Sequence, residues 1–474
     1  MFNDNLPEIK DISFLSKIQN MAIIGASKSR NFFFVRAYQE NFKGKIFVIN
    51  PNLKEIPGFD DGTQGKIFPS IKDVPDPVDF AFIAVTKEKI LEIIDECVEK
   101  GVKLVSIFTS EFSDSGTEEG IQLEKDLIKH AKNKVRILGP NGMGLYYPKK
   151  GIAWRLGFPS KSGRIGLICQ SGGLANLAIF MAKELNLTFS KIFSFGNGAD
   201  LDFIDLLAHL SQDDETDYII AYLEGIKEGR GRVLRNVLEK NKKPILLLKG
   251  GVSPTGQIAA KTHTAAIAGR NEIWDGLFKQ YGVVQVETLT ELLCGALILD
   301  YYGTFKVKNF LIVSISGGYG VMLTDLVEKY GFKVPQFNVD IQEKIAKLFY
   351  MRGTSARNPL DFAAQFYDME TLKKIFEIAL SDNEIDAMIF DVPAFYFDPR
   401  FRFLKYLNWE KNLLDALNFS KEFHKPIFVI IQRVDYPELR NDIIKMLRGK
   451  KIPVFGQPKE FLPFLKELNK IYDK

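Results

Sequence analysis

The stretch VDFAFIAVTKEKILEIIDECVEKG, Val78 to Gly101, holds the unit from which the chain is built. Val78 to Val85 is apolar apart from Asp79, as in a strand buried on both faces of a sheet. From Thr86 the period changes. Ile90, Ile94 and Cys97 recur at helical spacing, and Gly101 supplies the stop. A buried strand running into an amphipathic helix needs a parallel strand beside it, because a helical crossover returns the chain in the same direction. The neighbouring stretches supply such strands: MAIIGAS (Met21–Ser27), KIFVINP (Lys45–Pro51), KLVSIFTS (Lys103–Ser110) and VRILGPNGMG (Val135–Gly144). The alternation predicts an α/β, doubly wound, Rossmann-like domain over residues 1–148, ending in the glycine- and proline-rich GPNGMGLYYPKKG.

The pattern then restarts twice. RIGLICQSGG (Arg164–Gly173) is strand and turn, followed by the helix LANLAIFMAKEL and the strands KIFSFGNG, DYIIAYLEG and KPILLLKGG. FLIVSISGGYG (Phe310–Gly320) begins a third series, with VMLTDLVEKYG, DAMIFDVP and KPIFVIIQR after it. Two flavodoxin-like domains are expected, over 149–304 and 305–474. LICQSGGLANLAIFMAKEL and IVSISGGYGVMLTDLVEKY are alike, as are KKPILLLKGG and HKPIFVIIQR, which suggests a weak internal duplication.

Composition excludes several classes of function. A net charge of +4 over 474 residues is too small for a strongly basic nucleic-acid surface. No apolar run reaches the ~20 residues of a membrane span, and the N-terminus lacks the pattern of a signal peptide, so the expected location is the cytoplasm. The three cysteines, Cys97, Cys169 and Cys294, are far apart, and the four histidines are scattered. Neither a disulfide framework nor a metal site is expected.

The turns IIGAS, CQSGG and SISGG each end a strand and open a helix. There, backbone N–H groups and the helix dipole favour an anion. A nicotinamide dinucleotide is a poor fit to the first turn. No second or third glycine follows Gly25 at GxGxxG spacing, and Asn50-Pro51 stands where a ribose-binding carboxylate belongs. His263 sits in KTHTAAIAGR, among small residues that allow close approach and movement. A neutral imidazole held by a carboxylate is a nucleophile. Glu224, at the end of the apolar strand in AYLEG, is the candidate carboxylate. Ser171, Gly172 and Gly173 form the nearest anion-binding turn. Together they make a candidate phosphohistidine site.

The order of motifs resembles the α subunit of NDP-forming acyl-CoA synthetases, acetyl-CoA synthetase (ADP-forming) above all and succinyl-CoA synthetase more distantly. The matching stretches are IIGAS, FKGKIFVINPNLKEIPG, VDFAFIAV, RILGPNGMG, CQSGGL, SFGNGADLDFIDLL, AYLEGI, PILLLKGG, KTHTAAIAG, SISGGYGVMLTDLVEKYGF and RNPLDF. The resemblance implies that His263 is phosphorylated, that Glu224 supports it, and that Ser171, Gly172 and Gly173 receive phosphate. It implies that coenzyme A, a substrate, binds with its nucleotide end at Gly25, Ala26, Ser27, Asn50 and Pro51 and its pantetheine arm along Val85, Thr86 and Asn141. Asn197 matches a residue near the active-site crossing. The implied reaction converts acyl-CoA and phosphate to an acyl phosphate and CoA, then passes the phosphoryl group through His263 to ADP. ADP or ATP with Mg2+ would bind a separate ATP-grasp β subunit in an α2β2 heterotetramer; no metal site is implied in this chain.

This sequence departs from the family pattern in places. Thr262 and Ala265 stand where serine and glycine are usual, and Phe32, Phe33 and Phe34 put bulky rings after the first turn. These departures leave a second reading, a non-catalytic CoA-binding regulatory protein of the same fold. Tyr146, Tyr147 and Trp154 are read as packing residues, with an acyl pocket as the alternative.

Overall fold

A computed structural model describes residues 8–59, 65–263, 270–401 and 404–472. Two compact units divide the chain, Met1–Leu289 and Thr290–Lys474.

The first unit holds two sheets. Strands β1 (Asn20–Ile24), β2 (Lys45–Ile49), β3 (Gly65–Phe68), β4 (Phe80–Ile83), β5 (Leu104–Ile107) and β6 (Arg136–Leu138) form a sheet of order β3-β2-β1-β4-β5-β6, parallel throughout. Helices α1 (Phe33–Asn41), α2 (Ile90–Lys100) and α3 (Glu118–Ala131) are its crossovers. The stretch from Val78 folds as its periodicity predicts. All four residues of β4 are buried, and α2 turns Ile90, Ile94 and Cys97 inward before Gly101 caps it in the left-handed region. The order reverses between β1 and β4, so the carboxyl ends of these strands flank a crevice where ligands bind in open α/β sheets.

The second sheet contains β7 (Gly144–Tyr146), β8 (Ile165–Cys169), β9 (Phe189–Ser194), β10 (Tyr218–Leu223), β11 (Ile245–Lys249) and β12 (Val283–Val286), in the order β12-β11-β10-β8-β9-β7. Its five parallel strands follow the flavodoxin order 2-1-3-4-5 and reverse between β8 and β10. One detail departs from expectation. The tail of GPNGMGLYYPKKG does not end the first sheet, because β7 pairs antiparallel with β9 of the second, Gly144 opposite Ser194. The helices are α4 (Gly172–Glu184), α5 (Phe203–Gln212), α6 (Gly231–Lys240), α7 (Pro254–His263) and α8 (Asn271–Tyr281).

Backbone hydrogen bonds join the two sheets. Asn197 N–H donates to Pro140 O (3.0 Å), Ala199 N–H to Gly139 O (3.0 Å) and Leu201 N–H to Ile137 O (3.1 Å). The Asp200 carboxylate accepts from Ile137 N–H at 2.9 Å and lies 3.3 Å from the Arg136 guanidinium. These bonds tie β6 and the segment after it to the segment after β9.

The second unit begins at Thr290, one residue into α9 (Leu289–Tyr302). Its sheet contains β13 (Phe310–Ser314), β14 (Leu360–Asp361), β15 (Ala387–Asp391), β16 (Ile427–Ile430) and β17 (Val454–Phe455), ordered β14-β13-β15-β16-β17. This is again 2-1-3-4-5, with α10 (Gly317–Lys329) following β13 as α4 follows β8. The fold is α/β throughout: a Rossmann-like domain and two flavodoxin-like ones. Among the described residues no helix is long and apolar enough to cross a membrane.

Candidate functional site

One cleft in the first unit, about 1270 Å³ in volume, runs between the two reversal points. Gly25, Ala26, Ser27, Asn50, Pro51, Val85, Thr86, Asn141, Ser171, Gly172, Gly173 and Glu224 all line it. The structure thus brings together the candidate residues named from the sequence except Asn197, which lies behind the cleft wall, and His263. The backbone of His263 ends α7; its side chain, and all of Ala265, lie outside the described residues.

At the dinucleotide-like end, Gly25 leaves β1 with φ of +98°, and a Cβ placed there would lie 2.3 Å from Ala84 O. Only glycine allows the ends of β1 and β4 this close and leaves a backbone cradle. Asn50 shapes the neighbouring turn. Its Nδ2 donates to Ala26 O at 2.8 Å, and its Oδ1 accepts from Asn52 N–H at 2.9 Å. The residue at the end of β2 is therefore a turn-builder, which accounts for an amide where a ribose-binding acid would stand. The rings after the first turn do not fill the cleft. Asn31 and Phe32 take left-handed conformations, with φ of 49° and 54°. Phe34 packs on the sheet, its ring tilted against Phe82 (centroids 4.6 Å apart) and edge-on to Phe108 (5.2 Å). The three phenylalanines form one wall.

In the middle, Thr109 ties the strand ends to the Asn141 turn. Its Oγ1 donates to Val85 O (2.5 Å), and its carbonyl accepts from Asn141 N–H (2.9 Å). Asn141 has φ of 58°. Asn197 lies behind it, its Oδ1 3.4 Å from Asn141 Nδ2, and its own Nδ2 donates to Asp114 Oδ1 and Glu124 Oε2, both at 2.9 Å. Asn197 therefore braces the crossing between the sheets.

At the far end, Ser171 caps α4, its Oγ accepting from Leu174 N–H at 3.3 Å. No acidic residue occupies the first turn of that helix, so its positive end is not neutralised from within. A side chain at Gly173 would meet only Ser171 Oγ at 3.9 Å, so the backbone there is open to a ligand. Glu224 follows β10 across the reversal point. Tyr222 Oη donates to Glu224 Oε1 at 3.1 Å; burial first, then the Glu224 charge, holds that phenol protonated. Gly250, after β11, lets the chain pass close: a Cβ there would lie 2.8 Å from Tyr222 Oη and 3.2 Å from Glu224 Cγ.

Two residues that the sequence reading did not single out belong to this end. Gln170, buried at 4% exposure, turns Oε1 to the N–H groups of Glu224 (2.8 Å) and Gly225 (3.4 Å). Lys249, the last residue of β11, donates from Nζ to Glu224 O at 2.6 Å and to Gly250 O. Burial pulls the Lys249 ammonium down to about 8, against a smaller opposing effect of the Glu224 charge. Gln170 stands inside the quoted CQSGG; an amide between strand and turn was the available signal. Lys249 had none, since a lysine at a strand end reads as solvated.

Tyr146, Tyr147 and Trp154 are core residues that do not line the cleft. Trp154 Nε1 donates to Asn176 Oδ1 (2.9 Å), and Tyr147 Oη donates to Glu215 Oε2 (2.6 Å). The acyl-pocket alternative for them is set aside. Cys169, beside the site, is buried and its thiol is pushed up to about 12, so it is no nucleophile.

Residues 19–148 match the CoA binding domain family, and residues 162–299 match the succinyl-CoA ligase like flavodoxin domain. The chain is 30% identical over 463 residues to the acetate–CoA ligase (ADP-forming) I subunit alpha of Pyrococcus furiosus, covering 95% of this chain and 96% of that one. It is 33% identical over 356 residues to the acetate–CoA ligase (ADP-forming) of Methanocaldococcus jannaschii, covering 74% of this chain; it spans about half of that relative's length, 49%. Among solved structures it resembles the Ca. Korarchaeum cryptofilum dinucleotide forming acetyl-coenzyme A synthetase 1 in complex with phosphate and ADP, with a TM-score of 0.80, 28% identity and 97% of each chain covered.

Proposed function

The chain belongs to the ADP-forming acetate–CoA ligase family, and we propose that it is the α component of such a ligase, interconverting acyl-CoA, ADP and phosphate with a carboxylic acid, CoA and ATP. The observation that carries this reading is a single cleft joining a glycine-built nucleotide cradle at Gly25 to an unneutralised helix N-terminus at Ser171, with Glu224 beside it. The adenine nucleotide end of CoA rests on Gly25, Ala26, Ser27, Asn50 and Pro51. The pantetheine arm runs past Val85, Thr86 and Asn141 and delivers the thioester to the second sheet. Phosphate, held by the N–H groups of Gly172 and Gly173 and by the Ser171 cap, attacks the thioester carbonyl. The C–S bond breaks, CoA leaves as the thiol, and an acyl phosphate forms. The imidazole of His263, oriented by Glu224, displaces the carboxylate from phosphorus and carries the phosphoryl group to ADP. The positive end of α4 steadies the charge that spreads over the phosphoryl oxygens.

The ADP site, with its Mg2+, is assigned to an ATP-grasp β subunit, and the assembly to an α2β2 heterotetramer in the cytoplasm. The α-subunit name of the Pyrococcus relative supports a partner subunit; the ATP-grasp fold, the Mg2+, the tetramer and the location follow from the family resemblance. Acetate is the default acid.

The test is a phosphoryl-labelling assay. The chain is mixed with its partner, Mg2+ and γ-labelled ATP. An acid-labile, base-stable label is expected on this chain, absent in His263→Asn and strongly reduced in Glu224→Gln. Label persisting in His263→Asn overturns the assignment. CoA binding without any label in the wild type favours the non-catalytic reading.

A further inference from the structure

Among the described residues three amide side chains are almost wholly buried: Gln170, Asn358 and Gln365. Two of them use both ends. Asn358 Oδ1 accepts from Ile312 N–H, and its Nδ2 donates to Phe310 O and Pro335 O. Gln365 Oε1 accepts from Tyr350 N–H, and its Nε2 donates to Leu348 O. Gln170 uses only one. Its Oε1 accepts from Glu224 N–H and Gly225 N–H, which settles the amide orientation, because two backbone donors require the oxygen. Its Nε2 has no partner among the described residues and is not one of the enclosed orphan polar atoms; it opens on the cleft that the side chain lines. A side chain this deeply buried normally has its polar atoms satisfied, and here the donor faces only the cleft. One left open, on a wall that already carries anion-binding N–H groups, is a donor waiting for an acceptor.

We propose that the Gln170 Nε2–H donates to an oxygen of the phosphoryl group seated at the N-terminus of α4, making Gln170 a phosphate-binding residue of the site. The inference rests on the reaction proposed above and adds a ligand contact to it. Gln170 directly precedes the Ser171 cap, so its donor and the Gly172 and Gly173 N–H groups arise from one turn. Its orientation is set in advance by the backbone of Glu224, the residue whose own carboxylate would repel a phosphate oxygen. A fixed neutral donor beside that carboxylate gives the phosphoryl group a partner without adding charge, and needs no reorganisation when the ligand arrives. Inorganic phosphate and an acyl phosphate present the same acceptor oxygens, so both fit.

Gln170→Glu is the discriminating variant. It keeps an oxygen for the Glu224 and Gly225 N–H groups but replaces the donor with an anionic oxygen. Inorganic phosphate is titrated calorimetrically into the full chain. At pH 8 the variant should bind phosphate at least tenfold more weakly than wild type. CoA affinity should be unchanged. The variant-to-wild-type ratio should return toward one as falling pH protonates the new carboxyl, which removes its charge and restores an O–H donor. Equal phosphate affinity at pH 8, or parallel loss of phosphate and CoA binding, overturns the proposal. Acyl-CoA turnover with the partner chain is measured alongside. Turnover with an unchanged phosphate KM in Gln170→Glu overturns the residue assignment alone, whereas no turnover by the wild type overturns the reaction.

Discussion

At the scale of single residues, the cleft depends on positions where a side chain is either forbidden or fully committed. Gly25 is the clearest. With φ of +98° and Ala84 O only 2.3 Å from where a Cβ would sit, Gly25→Ala must shift β1 away from β4. Backbone strain of this kind costs on the order of 1–3 kcal/mol. The variant should show a lower melting temperature and a CoA affinity reduced at least tenfold, measured by thermal unfolding and calorimetry. Ser171→Ala removes a helix cap, a loss of about 1 kcal/mol, and should weaken phosphate binding while sparing CoA. Gly25, Ser171 and Glu224 were legible in the sequence because strand, turn and helix signals frame them. Thr109 and Gln170 were less so. Their roles lie in which carbonyl or N–H they reach, and those partners are distant in the chain: Thr109 bonds Val85, and Gln170 bonds Glu224.

At the scale of elements, the ends of β10 and β11 act together. Lys249 sits opposite Leu223 in the parallel register, and its ammonium ties the carbonyls of Glu224 and Gly250. Folding holds this lysine near 8, below its usual value of 10.5. Between those values the unfolded chain binds more protons than the folded one, so this group makes stability rise with pH through that window. Below about 8 the burial penalty is present in full. Lys249→Met should remove this rise, which urea unfolding at pH 7.5 and 10 would detect as a flatter difference from wild type. The variant should also slow turnover by loosening the Glu224 loop. The expectation for α4 held because a serine and two glycines after an apolar run are read locally. The departure at β7 had a non-local cause: LYY carries strand propensity, but its partner, β9, comes some forty residues later in the chain.

At the scale of the whole molecule, all described residues of the cleft fall within Met1–Leu289. A fragment comprising that unit should therefore bind CoA within a few-fold of the full chain, as titration would show; a hundredfold loss would mean that the second unit contributes to the cradle. The second unit carries its own titration. Asp391, at the end of β15, is buried, and desolvation pushes its carboxyl up to about 7 against the opposing Ser314 and Gln432 hydrogen bonds. A raised carboxyl favours the folded state when protonated, so its contribution is full below the usual value of 3.8 and is lost as pH rises through 7. Asp391→Asn should accordingly stabilise the protein relative to wild type at pH 8 more than at pH 5, measured by thermal unfolding. The sequence by itself determined the α/β class, the three restarts, the strand-to-helix turns and, through the order of its motifs, the family, because period, glycine placement and burial of apolar runs are written in neighbouring residues. Only the tertiary structure decided that the turn after β1 and the turn after β8 open into one cleft, that Asn197 and Asp200 link the two sheets, and that Gln170, without a partner for its Nε2 among the described residues, lines that cleft. Those facts depend on strand order and on contacts between residues far apart in the chain, which local spacing does not encode.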